Sequence, residues 1–222
     1  MTSQDKILRK FSYEFQLCEQ GLRCIAGVDE VGRGPLAGPV VAAALVFPAE
    51  WIRSGFPREL MKINDSKQLS EPLREELFEE IRSRPEIKFS VASVTVQMID
   101  QINILQATHL AMAQALAGLS TVPDHVLVDG LRVKSLPHPQ TPIVKGDALS
   151  YSIAGASIMA KVTRDRMMKE IDESYPMYGF ASHKGYGTPE HLAAIKLHGA
   201  CPVHRLTFAP FRPVQADLFL GA

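Results

Sequence analysis

The stretch Cys24-Ile25-Ala26-Gly27-Val28-Asp29-Glu30-Val31-Gly32-Arg33-Gly34-Pro35 decides how the rest of the chain is read. Its first five residues are uncharged and mostly apolar, as in a buried strand, and they run directly into two adjacent carboxylates. Gly32, Gly34, Pro35 and Gly38 then mark a turn, and residues 39–47 form a second apolar run, so a hairpin is expected. Residues 89–96 alternate well enough for a third strand. Two short strands, 126–128 and 142–144, end at Asp129-Gly130 and close to Asp147.

Helices are expected between these strands. Ser70 can cap one in which Leu73, Leu77 and Ile81 share a face. An alanine-rich helix covers 103–119, and a long one covers 151–174 until Tyr175-Pro176 stops it. Thr188-Pro189 opens a last helix, closed by Gly199. Residues 1–20 read as a short amphipathic helix or a loose arm. The order predicts an α/β fold with a mixed sheet, a hairpin first and helix-linked strands after it. Ala154, Ala156, Ser157 and Ala160 form a small-residue stripe suited to close helix–sheet packing.

The 222 residues, 46% hydrophobic and 22% charged, suit an ordinary globular chain with a full core. One catalytic domain over residues 1–222 is expected, with 213–222 as a tail, in a monomer. No apolar run reaches the roughly 18–20 residues that span a bilayer. The polar first ten residues lack a signal-peptide centre, so the cytoplasm is expected. Cys18, Cys24 and Cys201 have no metal-ligand spacing and read as free thiols. The formal net charge of zero excludes attachment to nucleic acid by bulk charge, so any such affinity needs a local surface.

The acids carry the chemical information. Asp29, Glu30, Asp129 and Asp147 each follow an apolar run directly or within three residues. Sheet edges at strand ends are where α/β proteins place ligands, and carboxylates meeting there repel unless a cation neutralises them. An all-oxygen donor set suits Mg²⁺ or Mn²⁺ rather than zinc, and two such ions can clamp an in-line phosphoryl displacement. Strand-end acids also arise as plain turn residues, above all in Asp-Gly. Adjacent strand residues face opposite ways. Asp29 and Glu30 therefore share a site only if the strand breaks, or if Glu30 binds from the side or through its carbonyl. The Gly32-Arg33-Gly34 turn lets main chain approach a ligand closely, which suits a reader of ribose 2′-hydroxyls and equally an unliganded hairpin turn.

Taken together, Ala26-Gly27-Val28-Asp29-Glu30-Val31-Gly32-Arg33-Gly34-Pro35 resembles the opening signature of the ribonuclease HII family. Further stretches agree in order: Asn64-Asp65-Ser66-Lys67-Gln68-Leu69-Ser70, Val128-Asp129-Gly130, Val144-Lys145-Gly146-Asp147, Ala156 to Asp165, and His183-Lys184-Gly185-Tyr186-Gly187-Thr188 followed by His204-Arg205. The similarity covers residues 22–212. It implies a ribonuclease H-like mixed sheet flanked by helices, with a small helical C-terminal part. It implies a metal site of Asp29, Glu30, Asp129 and Asp147, 2′-hydroxyl reading by Gly32, Arg33 and Gly34, and Tyr186 packing on the deoxyribose beside the cut. The implied reaction is hydrolysis of RNA in RNA–DNA hybrids, including single embedded ribonucleotides, leaving 3′-hydroxyl and 5′-phosphate ends. Lys67, Lys161, Arg164, His183 and Lys184 are then expected along the substrate's backbone. The tail Gln215-Ala216-Asp217-Leu218-Phe219-Leu220 is similar to short peptides that dock on the bacterial sliding clamp, with Gln215, Leu218 and Phe219 as anchors. A DNA nuclease of the same architecture, or a binding protein with structural Mg²⁺, would also fit the acids.

Overall fold

The computed structural model describes residues 9–211. Five strands, β1 (Ile25–Val31), β2 (Val40–Val46), β3 (Lys88–Val94), β4 (His125–Asp129) and β5 (Gln140–Ile143), form one sheet in the order β3-β2-β1-β4-β5. β1, β2 and β3 pair antiparallel, while β4 runs parallel to β1 on its other side and β5 runs parallel to β4. The mixed sheet, hairpin first, is the one expected.

Alternation along the strands divides the core. Ile25, Val41, Ala43, Leu45 and Leu127 pack in one cluster with the long helix α6 (Tyr151–Ser174) and with α3 (Glu71–Ser83). Ala26, Val28, Ala42, Ala44 and Val126 pack on the opposite face in a cluster with α4 (Val96–Ala117). α6 lies directly on β1, where a Cβ at Gly27 would collide with the main chain of Ser152 and Ile153. Its small-residue stripe is buried as expected, with Ala154, Ala156 and Ala160 fully enclosed. A third cluster, built from Ala37, Met168, Tyr178, Phe180 and Ile195, joins the helix α8 (Pro189–His198) to the end of α6. This is the small helical C-terminal part.

The N-terminal segment is not a loose arm over its described part. α1 (Ser12–Glu19) is anchored by Phe11, which is buried among Phe47, Phe56 and Tyr151. Ser70 takes the N-cap position of α3, but its side chain makes no capping bond. α4 starts seven residues before the expected 103, because the Thr95 hydroxyl caps a first segment by accepting from the Met98 N–H. At Asn103 the backbone turns to φ 66°, and the Asn103 side chain caps a second segment through the Leu105 and Gln106 N–H groups. Short helices α2 (Ala49–Ser54), α5 (Gly146–Leu149) and α7 (Phe180–His183) had no periodic signal to announce them. No helix among the described residues is long and apolar enough to cross a membrane. The three cysteines are free thiols.

Candidate active site

β1 does not break at its acids. The ladder continues through Asp29↔Ala43, Glu30↔Ala42 and Val31↔Val41, so the two carboxylates leave opposite faces. The expected alternative of a broken strand is thereby excluded. The parallel register with β4 ends at Val28↔Val128, so the next residue on each strand is Asp29 or Asp129. These two acids stand side by side. Asp29 is buried and takes the Glu30 N–H at 2.7 Å and the Ser157 hydroxyl of α6. Glu30 lies on the α4 side, in a cleft of about 210 Å³ that it shares with Arg33, His109, Met112 and Asp129.

Asp147 reaches the same region from α5, which opens on Lys145 in a left-handed conformation. The Gly146 N–H donates to Asp129 Oδ1 at 2.6 Å, fixing α5 against the end of β4. Burial, and then Glu30 and Asp129, push the Asp29 carboxyl well above the usual carboxylate range. Burial followed by Asp129 and Asp65 raises Asp147. Glu30 is raised chiefly by burial, against the pull of Arg33 at 3.3 Å. Asp129 is the common neighbour: its charge acts on Asp29, Glu30 and Asp147 alike.

They are not yet arranged as a coordination shell. Among the described residues, no three His, Cys, Asp or Glu side chains stand ready to hold one ion. Asp29, Asp129 and Asp147 each turn an oxygen to a main-chain N–H instead. The donor set nevertheless fits a hard divalent cation: all oxygen, strongly anionic, and largely withdrawn from solvent.

One cation of the chain already sits there. Burial works against the Lys67 charge, but the fields of Asp29, Asp147, Asp65 and Asp129 overcome it and raise its pKa. Asp65 is a residue that sequence reasoning passed over. It hydrogen-bonds Asp147, accepts from the Lys67 N–H at 2.9 Å and from Gln68 at 3.0 Å, and those bonds outweigh burial and lower its pKa. The loop carrying both residues is tied to α6 by Ser66 and Ser157, whose hydroxyls are 2.8 Å apart.

The glycine turn is held from beneath by two buried arginines. Arg164 donates to the carbonyls of Pro39, Lys184 and Ala37, and Arg205 to those of Gly38, Arg33 and Gly32. Neither exposes any surface. Gly32 has φ 94°, and a Cβ there would strike the Arg164 side chain, so only glycine allows this support. The expected phosphate contact by Arg164 is therefore corrected: its guanidinium is consumed by carbonyls. Arg205 belongs to the matched His204-Arg205 pair but gains no role from sequence alone, since an arginine's type carries no sign of which way it faces.

The remaining expected contacts divide. Tyr186 is 45% exposed and lies against Gly34, next to the turn. Arg33 is exposed apart from its pairing with Glu30. Lys161 pairs with Asp165 at 2.7 Å. His183 points inward, joined to the Tyr178 carbonyl at 2.7 Å and accepting from the Gly185 N–H at 3.2 Å, and Lys184 donates to the Ala181 carbonyl. His183 and Lys184 thus shape the loop under Tyr186 rather than projecting outward from it. Gln215, Leu218 and Phe219 lie outside the described residues.

Comparison with known proteins gives a consistent picture. A sequence profile described as "Ribonuclease HII" matches residues 26–211. A Bacillus cereus protein named ribonuclease HII is 52% identical over 209 residues, covering 94% of this chain and 78% of that one. The crystal structure of ribonuclease H2 from Pyrococcus horikoshii OT3 superposes with a TM-score of 0.69 at 31% identity, over 85% of this chain and 95% of the other. The ribonuclease HII of Archaeoglobus fulgidus, solved as a complex with PCNA, does so with a TM-score of 0.67 at 26% identity, over 82% and 94%.

Proposed function

Because this chain belongs to the ribonuclease HII family, an endonuclease family that cleaves RNA in RNA–DNA hybrids, we propose that Asp29, Glu30, Asp129 and Asp147 are its catalytic carboxylates. Enzymes of this family depend on a divalent metal ion. In this reading the four acids would hold Mg²⁺ or Mn²⁺, which would supply Lewis acidity for the hydrolysis. Asp29, buried beside Glu30 and Asp129, would be the central ligand. Asp129 and Asp147 complete the set on one side of β1 and Glu30 reaches round from the other.

The substrate surface follows from the turn. Arg205 occupies the Gly32 and Arg33 carbonyls on its inner side, so the outer side of Gly32, Arg33 and Gly34 remains for the ribose 2′-hydroxyl. Tyr186, resting beside Gly34, packs on the adjoining deoxyribose. Lys67 provides positive charge for the phosphate at the cut. The reaction leaves 3′-hydroxyl and 5′-phosphate ends and includes single ribonucleotides embedded in duplex DNA. The catalytic unit is one monomeric domain spanning the matched residues. The tail carries Gln215, Leu218 and Phe219 to a sliding clamp, a reading supported by the PCNA complex of the Archaeoglobus relative.

The observation that carries this reading is the side-by-side placement of Asp29 and Asp129 beside a glycine turn braced from within. The test uses a DNA duplex with one ribonucleotide and its all-DNA counterpart, with Mn²⁺ or Mg²⁺. Wild type should cut only the first, and Asp29→Asn should lose about 10³-fold or more in rate. Full activity of Asp29→Asn, or equal cutting of both duplexes, would reject it.

A further inference from the structure

Behind Tyr186 the fold builds a chain of hydrogen bonds that the catalytic reading does not use. His191, on α8, is fully buried, and His204 is 1% exposed. His191 Nδ1 lies 2.8 Å from the Tyr186 carbonyl, and its Nε2 lies 3.1 Å from His204 Nε2. At the far end, His204 Nδ1 receives the Cys201 N–H at 2.9 Å.

These contacts fix both tautomers. A carbonyl can only accept, so His191 Nδ1 carries its proton and its Nε2 is the acceptor. An N–H can only donate, so His204 Nδ1 is the acceptor and its Nε2 carries the proton. The two nitrogens facing each other are therefore one donor and one acceptor, and the bond closes without charge. A proton added to either ring would set two donors face to face or break the bond from Cys201. Burial lowers both pKa values, that of His204 to about 4, which keeps the pair neutral. His183 stacks on His191 at 4.4 Å, and Tyr178, Phe180 and Phe211 pack against His204.

We propose that His191 and His204 are positioning residues: an uncharged two-imidazole relay that fixes the Tyr186 main chain and so sets where its ring meets the substrate sugar. The proposal rests on the reading of Tyr186 as the sugar contact. The anchored carbonyl belongs to Tyr186 itself, and also accepts from the Thr188 N–H at 2.8 Å. Gly185, next to it, is held by its own bonds, its carbonyl accepting the Leu36 N–H at 2.8 Å and its N–H donating to His183 Nδ1 at 3.2 Å. Tyr186 therefore has a rigid neighbour on one side and the imidazole on the other. Losing the imidazole frees one of two bonds on a short loop, and displacement of a substrate contact by about 1 Å is enough to cost up to about a hundredfold in rate.

The test is a double-mutant cycle read on the single-ribonucleotide duplex. His191→Ala should lower kcat/KM about tenfold when Tyr186 is present. In a Tyr186→Ala background the same substitution should change it less than about twofold. His191→Asn keeps a donor at the Nδ1 position and should restore most of the activity, which separates anchoring from simple filling of the core. In intact protein, ¹⁵N NMR should find His191 protonated on Nδ1 and His204 on Nε2. Independent, additive losses from His191→Ala and Tyr186→Ala overturn the relay while leaving the Tyr186 reading in place. Tyr186→Ala without effect overturns both. A spectrum in which both rings carry the proton on the same nitrogen overturns the relay even if the alanine variant does not fold.

Discussion

Asp29 is a costly side chain, a carboxylate buried on a central strand with Glu30 and Asp129 beside it. Desolvation and like charge both oppose its ionised form, against the support of a main-chain N–H, the Ser157 hydroxyl and the charge of Lys67. Asparagine keeps an oxygen for those donors and removes the charge. In chelator at neutral pH, Asp29→Asn should therefore melt above wild type, by about 2–4 °C for each kcal/mol of repulsion relieved. Differential scanning calorimetry in EDTA checks this; a lower Tm would mean that the charge is already compensated by Lys67. With saturating Mn²⁺ the order should reverse, because only wild type gains the stability of a bound cation. The arginines teach a related lesson at this scale. Arg33, Arg164 and Arg205 are chemically one residue type. The first stands in solvent beside the site while the other two serve main-chain carbonyls. Residue type shows that a guanidinium is present, and packing alone decides whether a phosphate can reach it.

At the level of elements, strands were legible because their apolar runs match the pleat, and α6 was legible to its last turn. α4 was read only from its second half. Its first half depends on a Thr95 cap and on a break at Asn103, and the left-handed backbone there leaves no trace in the apolar spacing. α5 and α7 are single turns, too short for any periodicity, yet they carry Asp147 and His183. The acids were visible as strand-end residues, but their side-by-side register was not, because it arises from pairing β1 with a strand about a hundred residues away. The helical C-terminal element makes its own prediction. His204 has its folded pKa depressed to about 4 from an ordinary 6.5, so the unfolded chain binds the extra proton between those values. Stability is complete above about pH 6.5 and falls as pH drops toward 4, by up to roughly 3 kcal/mol from this group alone. His204→Gln keeps a donor facing His191 and cannot take up a proton, so its Tm should decline less steeply over that window. An unchanged slope would show that His204 is accessible to protons in the folded state.

On the scale of the whole molecule, catalysis and partner binding are expected to be separable. The residues proposed for catalysis lie on β1, β4 and α5, and residues 215–222 follow them in the chain. Deleting those eight residues should leave hybrid cleavage within about twofold of wild type, because every residue proposed for catalysis or substrate contact lies before them in the chain. The same deletion should abolish binding to an immobilised sliding clamp. Equal clamp affinity with and without the tail would remove it from any docking role.

The bond from Arg205 to Gly32 spans 173 positions. A nascent chain emerges from its N-terminus, so Asp29 and the glycine turn leave the ribosome long before the guanidinium that braces them. Strands β1 to β5 and α6 can already be folding while the glycine turn still lacks its floor. The loop proposed to read the ribose is therefore completed only after the chain has been made as far as Arg205, and until then the strands that carry Asp29 and Asp129 stand beside an unbraced turn.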